Sequence, residues 1–296
     1  MLEAKFITRS LGFAIAMMVS QSAAAAFALV PGNVYTADSS TNTILQVDST
    51  GVELGSLTVP GALDGVRGMA FGADGTMYVV VPAPGGFKVL LLNAKGNVRG
   101  EYTGTSYIGG NLSYGKIAVS GNRFYVAGAN NLVAFDRNVA AGAIIYQTNQ
   151  AYDVDVLPSG NLLLASAYQI DELNTAGQLV RQVPISTSIL TDVRGVQYNP
   201  ATNKIYATML GHTNFFFRLM RFDATSGALE QNITFNYADD ITYLANGNLL
   251  VGSRTQSPTI FTPDLTFVST LNAVQRMFVA TMPEPTIMFQ DGMEGF

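Results

Sequence analysis

The sequence predicts an all-β protein built from six copies of a four-stranded antiparallel unit. Three observations lead to this prediction. One segment is nearly repeated, and two turn signatures recur with a common period. The composition, with 29 Gly, 17 Phe, 13 Tyr and only 12% charged residues, suits strands and tight turns. The segment VRGMAFGADGTMY at residues 66–78 is nearly copied as VRGVQYNPATNKIY at residues 193–206. The two copies start 127 residues apart, which is about three times 42, a period typical of repeat architectures.

The first turn signature precedes a strand of the form Asn/Thr-x-apolar-Tyr/Leu. It occurs at Gly32, Gly75, Gly121, Gly160, Thr202 and Gly247. The intervals are 43, 46, 39, 42 and 45 residues, so the chain has six units with a period near 43.

The second signature is an apolar run followed by Asp or Asn and then by Gly. Its copies are Asp48 with Gly51, Asn93 with Gly96, Asp136 with Gly142, Asn174 with Gly177, and Asp223 with Gly227; the sixth copy, at Pro263 and Asp264, lacks the Gly. Asp and Asn bond the backbone of a turn, and Gly accepts the positive φ that starts the returning strand. Two turns in each repeat, separated by β-rich runs, predict four antiparallel strands.

Six such sheets around an axis form a β-propeller, which leaves only short sheet edges. The first unit begins at its second strand, so its innermost strand is missing. The stretch AVQRMFVATMP at residues 273–283 matches the innermost strands of the other units. We therefore expect a six-bladed β-propeller over residues 27–282, in which this C-terminal strand completes blade 1.

The repeated apolar-Asp-x-x-Gly turns and Gly-Asn-x-Tyr-Val strand starts, over residues 32–281, resemble the six-bladed superfamily of NHL-repeat and SMP-30-like gluconolactonase proteins. These motifs specify a fold far better than a function. The resemblance to gluconolactonases implies a metal at the channel mouth held by Glu, Asn and Asp. Here the pattern departs, because none of the seven Glu residues falls at the predicted channel mouth.

The two ends of the chain are expected to lie outside the propeller. Residues 1–26 carry a basic start, an apolar run of about nine residues and the small-residue site Ala24–Ala26, which is the layout of a secretory signal peptide cleaved before Phe27. This predicts a periplasmic or extracellular protein. Residues 283–296 form a tail whose IMFQDGMEGF segment resembles short tails of some secreted bacterial proteins; it is either a plain terminus or a sorting tag.

The composition excludes several classes of partner and site. Without the signal peptide the chain has 14 basic and 20 acidic residues and no basic block, which argues against nucleic acid. It has no Cys and a single His, which leaves little for a transition-metal site. No later segment has 18 uninterrupted apolar residues, so no transmembrane segment is expected after signal cleavage. We expect a monomer.

The innermost strands line the central channel, and their first residues form one face around the channel mouth. Counting back from the turn anchors predicts the residues on this face that bind a ligand. They are Arg67, Tyr114, Tyr152, Asp153, Arg194, Asp239, Asp240 and Arg276. The repeated Val-Arg-Gly thus marks the channel mouth in blades 2 and 5, which lie opposite each other in a ring of six.

Three interpretations of these charged residues stay open. The arginines could form ion pairs with Asp64, Asp192, Asp239 or Asp240, or they could hold an anionic or hydroxyl-rich ligand. Alternatively, Asp153, Asp239 and Asp240, with Asn111, could bind Ca²⁺. His212 lies in the loop between the second and third strands of blade 5, where it could serve as a general base.

We therefore predict an exported β-propeller that binds a small molecule or a protein through its channel-mouth face. The alternative is a calcium-dependent lactonase, another hydrolase or a lyase acting on a small ester or sugar-derived substrate at the same face. A third possibility is a cell-surface scaffold directed by the tail. The sequence leaves open whether the protein is an enzyme.

Overall fold

The computed structural model describes residues 27–49, 52–62, 64–104, 115–185, 191–211, 217–235, 237–271 and 278–283. Within these ranges the chain forms 24 strands and no helix. The predicted signal peptide lies outside the described residues, as does the tail beyond Pro283. Both assignments therefore stay predictions.

The strands group into six four-stranded blades. Blade 1 contains β1 (Val34–Ala37), β2 (Thr43–Val47), β3 (Glu53–Thr58) and the C-terminal β24 (Phe278–Thr281). Blade 2 contains β4 (Gly68–Phe71), β5 (Met77–Ala83), β6 (Gly86–Leu92) and β7 (Val98–Gly104). Blade 3 contains β8 (Gly115–Ser120), β9 (Arg123–Gly128), β10 (Asn131–Asp136) and β11 (Val139–Gln147). Blade 4 contains β12 (Ala151–Val156), β13 (Leu162–Ser166), β14 (Gln169–Leu173) and β15 (Leu179–Val183). Blade 5 contains β16 (Thr191–Asn199), β17 (Lys204–Gly211), β18 (Phe217–Asp223) and β19 (Leu229–Thr234). Blade 6 contains β20 (Ala238–Tyr243), β21 (Leu249–Ser253), β22 (Thr259–Phe261) and β23 (Phe267–Thr270).

The blades form a closed ring, as the sequence predicts. The innermost strands contact one another in the cyclic order β24, β4, β8, β12, β16, β20 and back to β24. Strand β24 pairs antiparallel with β1, with Val34 opposite Thr281. A parallel contact of Ala141 with Thr103 also joins the outermost strands of blades 2 and 3 into one eight-stranded sheet. The predicted β-propeller, its antiparallel blades and its closing C-terminal strand are confirmed.

The burial of each strand follows its place in the blade. All five residues of β13 and the first five of β5 are buried, because neighbouring blades cover both faces of these strands. The outermost strands β3 and β19 instead alternate between more and less exposed residues. The core therefore lies between the blades, and apolar runs such as LLLAS in β13 belong to its most buried strands.

The turn signatures are found largely where predicted, with one correction. Gly75, Gly160 and Gly247 all have positive φ at the turn before the second strand of their blade. Gly142, however, is not a turn residue, since β11 already begins at Val139. A Cβ atom at Gly142 would lie 2.6 Å from the Phe135 ring, so this glycine is explained by close packing.

A β-bulge lies near the start of the innermost strand in blades 4, 5 and 6. The pairing with the second strand skips Tyr152, Arg194 and Asp239. A bulge re-aims side chains and is frequent next to functional sites. In each of these blades the bulge includes a residue that the sequence predicts at the channel mouth. In blade 6, for example, it lies at Asp239, next to Asp240.

Candidate functional site

We call the face formed by the starts of the innermost strands the rim face. The opposite face, formed by the turns between first and second strands, is the turn face. The innermost strands run from the rim face to the turn face, so the position of a residue along its strand gives its depth in the channel. Each candidate residue is described below by its position between these two faces.

A buried lysine reaches across the channel near the rim face. Lys116, on β8, has a side chain that is only 4% exposed. Its Nζ donates to Asp240 Oδ1 at 2.7 Å and to the carbonyl oxygens of Asp239 at 2.7 Å and Arg194 at 3.0 Å. Its distance to Asp153 Oδ2 is 3.4 Å. Lys116 thus crosses the channel from blade 3 and binds blades 4, 5 and 6.

The two carboxylates of this cluster are held by the backbone of further strands. Asp153 Oδ2 accepts the Val196 N–H at 2.8 Å, and Asp240 Oδ2 accepts the Val279 N–H at 2.9 Å. The cluster therefore ties β12 to β16 and β20 to the closing strand β24. Buried charges are stable in this form only when they are paired and hydrogen-bonded.

Burial and pairing shift the pKa values of all three groups of the cluster. Burial raises the pKa of Asp153 to about 7 against the opposing charge of Lys116, and burial also raises the pKa of Asp240. Burial acts to lower the pKa of Lys116, but the carboxylates of Asp153 and Asp240 outweigh it and raise this pKa. The two carboxylates thus favour the protonated form of Lys116.

A second charged group lies on the rim side of the cluster. Asp239 has a fully buried side chain, 3.4 Å from Arg194 Nη1, and its Oδ2 accepts from Arg254 Nε at 3.0 Å. Arg194 Nη2 also lies 3.6 Å from Asp192 Oδ2, and its guanidinium lies 5.6 Å from the centre of the Tyr152 ring. Ion pairs of Arg194 with Asp192 and Asp239, one of the interpretations left open by the sequence, are present.

Arg67, the other Val-Arg-Gly arginine, has different contacts. Its guanidinium donates to the carbonyl oxygen of Ser39 in blade 1. Burial lowers its pKa, while the charges of Asp64 and Asp38 act to raise it. The two copies of Val-Arg-Gly thus occupy the rim side of blades 2 and 5 without forming one site from both arginines.

Several predicted residues lie outside the described part of the chain. These are Asn111, Tyr114, His212 and Arg276. Among the residues that the structure does describe, no group of three or more His, Cys, Asp or Glu side chains could hold a metal ion. Asp153, Asp239 and Asp240 are instead bound to Lys116, Arg194 and Arg254, so calcium binding stays a prediction that depends on Asn111.

A cavity of about 460 Å³ lies in the channel on the other side of the Lys116 cluster. Lys116, Asp153 and Asp240 line its end toward the rim face, and Tyr243, Ala245 and Pro283 lie toward the turn face. Ala245 and Pro283 are exposed, so the cavity opens on the turn face. Asp153 and Asp240, two of the residues that the sequence predicts at the channel mouth, thus also line this cavity.

Three residues important for this region were missed in the sequence: Lys116, Arg254 and Asp155. Lys116 did leave a signal, since it is the only charged residue of the strand GKIAVS. Asp155 lies within β12, two residues beyond Asp153, and lines the cavity. Arg254 follows directly after β21, in a loop that carried no repeated motif.

Comparison with solved structures agrees with the fold. A chain of a nidogen–laminin complex matches 84% of this chain and 98% of its own length, at 13% identity and a TM-score of 0.65. TolB from Acinetobacter baumannii matches 86% of this chain and 67% of its own length, at 14% identity and a TM-score of 0.66. The Dos1 propeller matches 83% and 69%, at 12% identity and a TM-score of 0.50. No protein-family model and no curated protein matches the chain.

These neighbours define the class of the protein as a β-propeller. At such low identity the likeness concerns the fold alone, since one propeller fold carries many unrelated functions.

In the described ranges, no helix is long and apolar enough to cross a membrane.

Proposed function

We propose that the protein is an exported binding module that recognises a protein partner through its rim face. The observation that carries this proposal is that the charged groups predicted there are paired with one another. Asp153, Asp239 and Asp240 each bind a cationic side chain of the same chain. Such pairing supports a structural role for these charges, because a catalytic carboxylate must be within reach of a substrate.

The side chains that the rim face exposes suit a protein partner. Tyr168, between β13 and β14, is 48% exposed, and Tyr237, just before β20, is 41% exposed. The Arg254 side chain is 40% exposed. Tyr and Arg are enriched among the residues that dominate the binding energy of protein interfaces. Tyr237 also packs on Phe217, with ring centres 4.4 Å apart, which fixes one of these aromatic contacts before a partner binds.

Export and the narrower family are part of this proposal. Export rests on the signal-peptide pattern of residues 1–26. Kinship with NHL-repeat and SMP-30-like proteins rests on the repeated turn motifs. A protein partner is in keeping with one structural neighbour, a chain of a nidogen–laminin complex. A small-molecule ligand at the rim, a hydrolase or lyase reaction using His212, and a scaffold directed by the tail all stay predictions.

Site-specific photo-crosslinking in the native host tests this proposal. A photoreactive amino acid replaces Tyr168 on the rim face, and a matched control places it at Ser159, an exposed turn-face residue between β12 and β13. We expect one discrete crosslinked protein from position 168 and none from position 159. Equal crosslinking at both positions, or none at position 168, would overturn the proposal.

A further inference from the structure

We propose that the turn-face cavity is a second binding site, for a small apolar molecule that carries one protonated amine, with the Asp155 carboxylate as its counter-ion. This site lies on the opposite side of the Lys116 cluster from the rim face. It is therefore separate from the proposed protein-binding surface, and each proposal can fail without the other.

The size and walls of the cavity suit a small ligand that has an apolar body and one charged group. Its volume of about 460 Å³ lies within the range of roughly 300–1,000 Å³ typical of ligand pockets. Met69, Phe71, Ile117 and Ile241 are among its apolar lining residues. Polar side chains such as Asp155, Gln197 and Thr242 also line it, so that its exposed lining is about half polar and half apolar. A lining of this kind suits a small molecule that has both an apolar body and a polar group.

Asp155 is held in a fixed position in this cavity. Its Oδ2 accepts the Tyr198 N–H at 2.6 Å and Gln197 Nε2 at 2.8 Å, and the Val156 N–H also contributes. A carboxylate offers about four acceptor positions, so Asp155 retains capacity for a donor from a ligand. Its pKa is nevertheless raised to about 6, because burial outweighs these hydrogen bonds.

The charges around the cavity favour a cation. The titratable residues that line it are Lys116, Asp153, Asp155, Asp240 and Tyr243. The lining has one lysine and three carboxylates, so its net charge is negative. It stays negative even when Asp153 and Asp240 share one proton. A ligand ammonium group would balance this charge, whereas a ligand carboxylate would be repelled. Because Asp153 and Asp240 already bind Lys116, the cavity suits an organic cation better than a bare metal ion, which requires several oxygen ligands.

The test compares three probes of similar size on the purified protein: 4-phenylbutylamine, 4-phenylbutanol and 4-phenylbutyrate. Isothermal titration calorimetry at pH 7.5 gives their affinities. We expect the amine to bind at least about tenfold more tightly than the alcohol, because a charged hydrogen bond exceeds the 1.4 kcal/mol that corresponds to tenfold. We expect no binding of the butyrate. At pH 5, below the Asp155 pKa, the advantage of the amine should shrink.

Three variants test whether the preference for the amine arises at Asp155. Asp155→Asn should reduce the affinity for the amine to that for the alcohol. Glu53→Gln, which removes one carboxylate from the exposed outermost strand of blade 1, should change neither affinity. Tyr168→Ala on the rim face should also change neither, which separates this site from the proposed partner surface.

Three outcomes would overturn the proposal. Equal affinities for amine and alcohol in the wild type would remove the counter-ion role of Asp155, and this comparison does not depend on a folded variant. Absence of binding by all three probes, both in the wild type and in a full chain with Ile287, Met288 and Phe289 changed to Ser, would mean that the cavity is not a ligand site. Binding only in a full chain with Ile287, Met288 and Phe289 changed to Ser would instead make the protein's own C-terminal tail the occupant.

Discussion

The two ends of the central channel use charge in opposite ways. On the rim side, Asp239 lies between Arg194 and Arg254, and acidic and basic groups satisfy one another. On the turn side, Asp155 faces a cavity whose lining carries more acidic than basic groups. The comparison shows that a high density of charged residues in the sequence does not by itself locate a ligand site. At the rim these residues hold blades together, while the cavity lies between the innermost strands on the turn side.

Removing the lysine between the two ends should have the largest effect. Lys116→Met leaves Asp153 and Asp240 buried without their cation, and we expect a loss of about 3–5 kcal/mol in the free energy of unfolding. Lys204→Met is the matched control, because Lys204 also binds two carboxylates, Asp223 and Glu230, but on the surface. Urea denaturation of both variants measures the difference. Equal losses would show that burial of the Lys116 cluster has no energetic importance.

Asp155, in the cavity, should give the protein an unusual dependence of its free energy of unfolding on pH. Because the pKa of Asp155 is raised from 3.8 to about 6, the folded state binds more protons than the unfolded state between these values. The stabilisation is complete below pH 3.8 and is lost as the pH rises through 6. Asp155→Asn should therefore match the wild type near pH 4 and exceed its stability at pH 8, by at most about 3 kcal/mol.

Asp74 provides a control of opposite sign for this pH dependence. Burial acts to raise its pKa, but hydrogen bonds from Thr76 and Arg137 outweigh burial and lower it. Its stabilisation is present above the unfolded pKa and is lost as the pH falls through the folded pKa. Asp74→Asn should thus be less stable than the wild type at pH 8. Urea denaturation at pH 4 and pH 8 measures both variants, and the same sign for both would contradict the assigned shifts.

The two arginines that bind Asp239 should differ in their contribution to stability. The Arg194 side chain is 11% exposed and that of Arg254 is 40% exposed. We expect Arg194→Gln to cost roughly 2 kcal/mol and Arg254→Gln less than about 1 kcal/mol, since exposed ion pairs contribute little. Thermal unfolding of the two variants tests this order. The reverse order would place the structural ion pair at Arg254 and leave Arg194 as the better candidate for partner binding.

Calcium should have the smallest effect. Ca²⁺ bound at 100 times its dissociation constant would add about 2.7 kcal/mol, a shift of several degrees in the melting temperature for a domain of this size. Because the aspartates already bind Lys116 and the arginines, we expect the same melting temperature in calcium and in EDTA. A calcium-dependent increase that Asp240→Asn abolishes would instead support the predicted metal site.

The fold was largely predictable because the turns that define it depend on residues close together in the sequence. Turns such as the one at Gly160 need a residue that tolerates positive φ, and this requirement recurs along the chain at a fixed period. Even the closing strand could be found, since residues 278–281 match the other innermost strands. Gly142 was assigned wrongly because close packing against Phe135 selects Gly as strongly as a turn does.

The candidate site was less predictable because it depends on depth in the channel. Residues were placed at a fixed distance before each turn, but these turns differ in length. Two residues separate β8 from β9, whereas five separate β12 from β13. A fixed offset therefore missed Lys116, which lies deep enough to reach Asp153. Its bond to Asp240 joins residues 124 positions apart, and no local pattern reports such a contact.

The closing strand has a consequence for when the ring can form. Strand β1 pairs with β24, and Val34 lies opposite Thr281. The inner edge of β1 therefore has no partner until the C-terminal strand has been synthesised. Until then β1 has an open edge, the kind of surface that recruits strands from other chains. A chain that lacks β24 would keep this edge unpaired, so the C-terminal strand protects blade 1 from pairing with other chains as well as closing the ring.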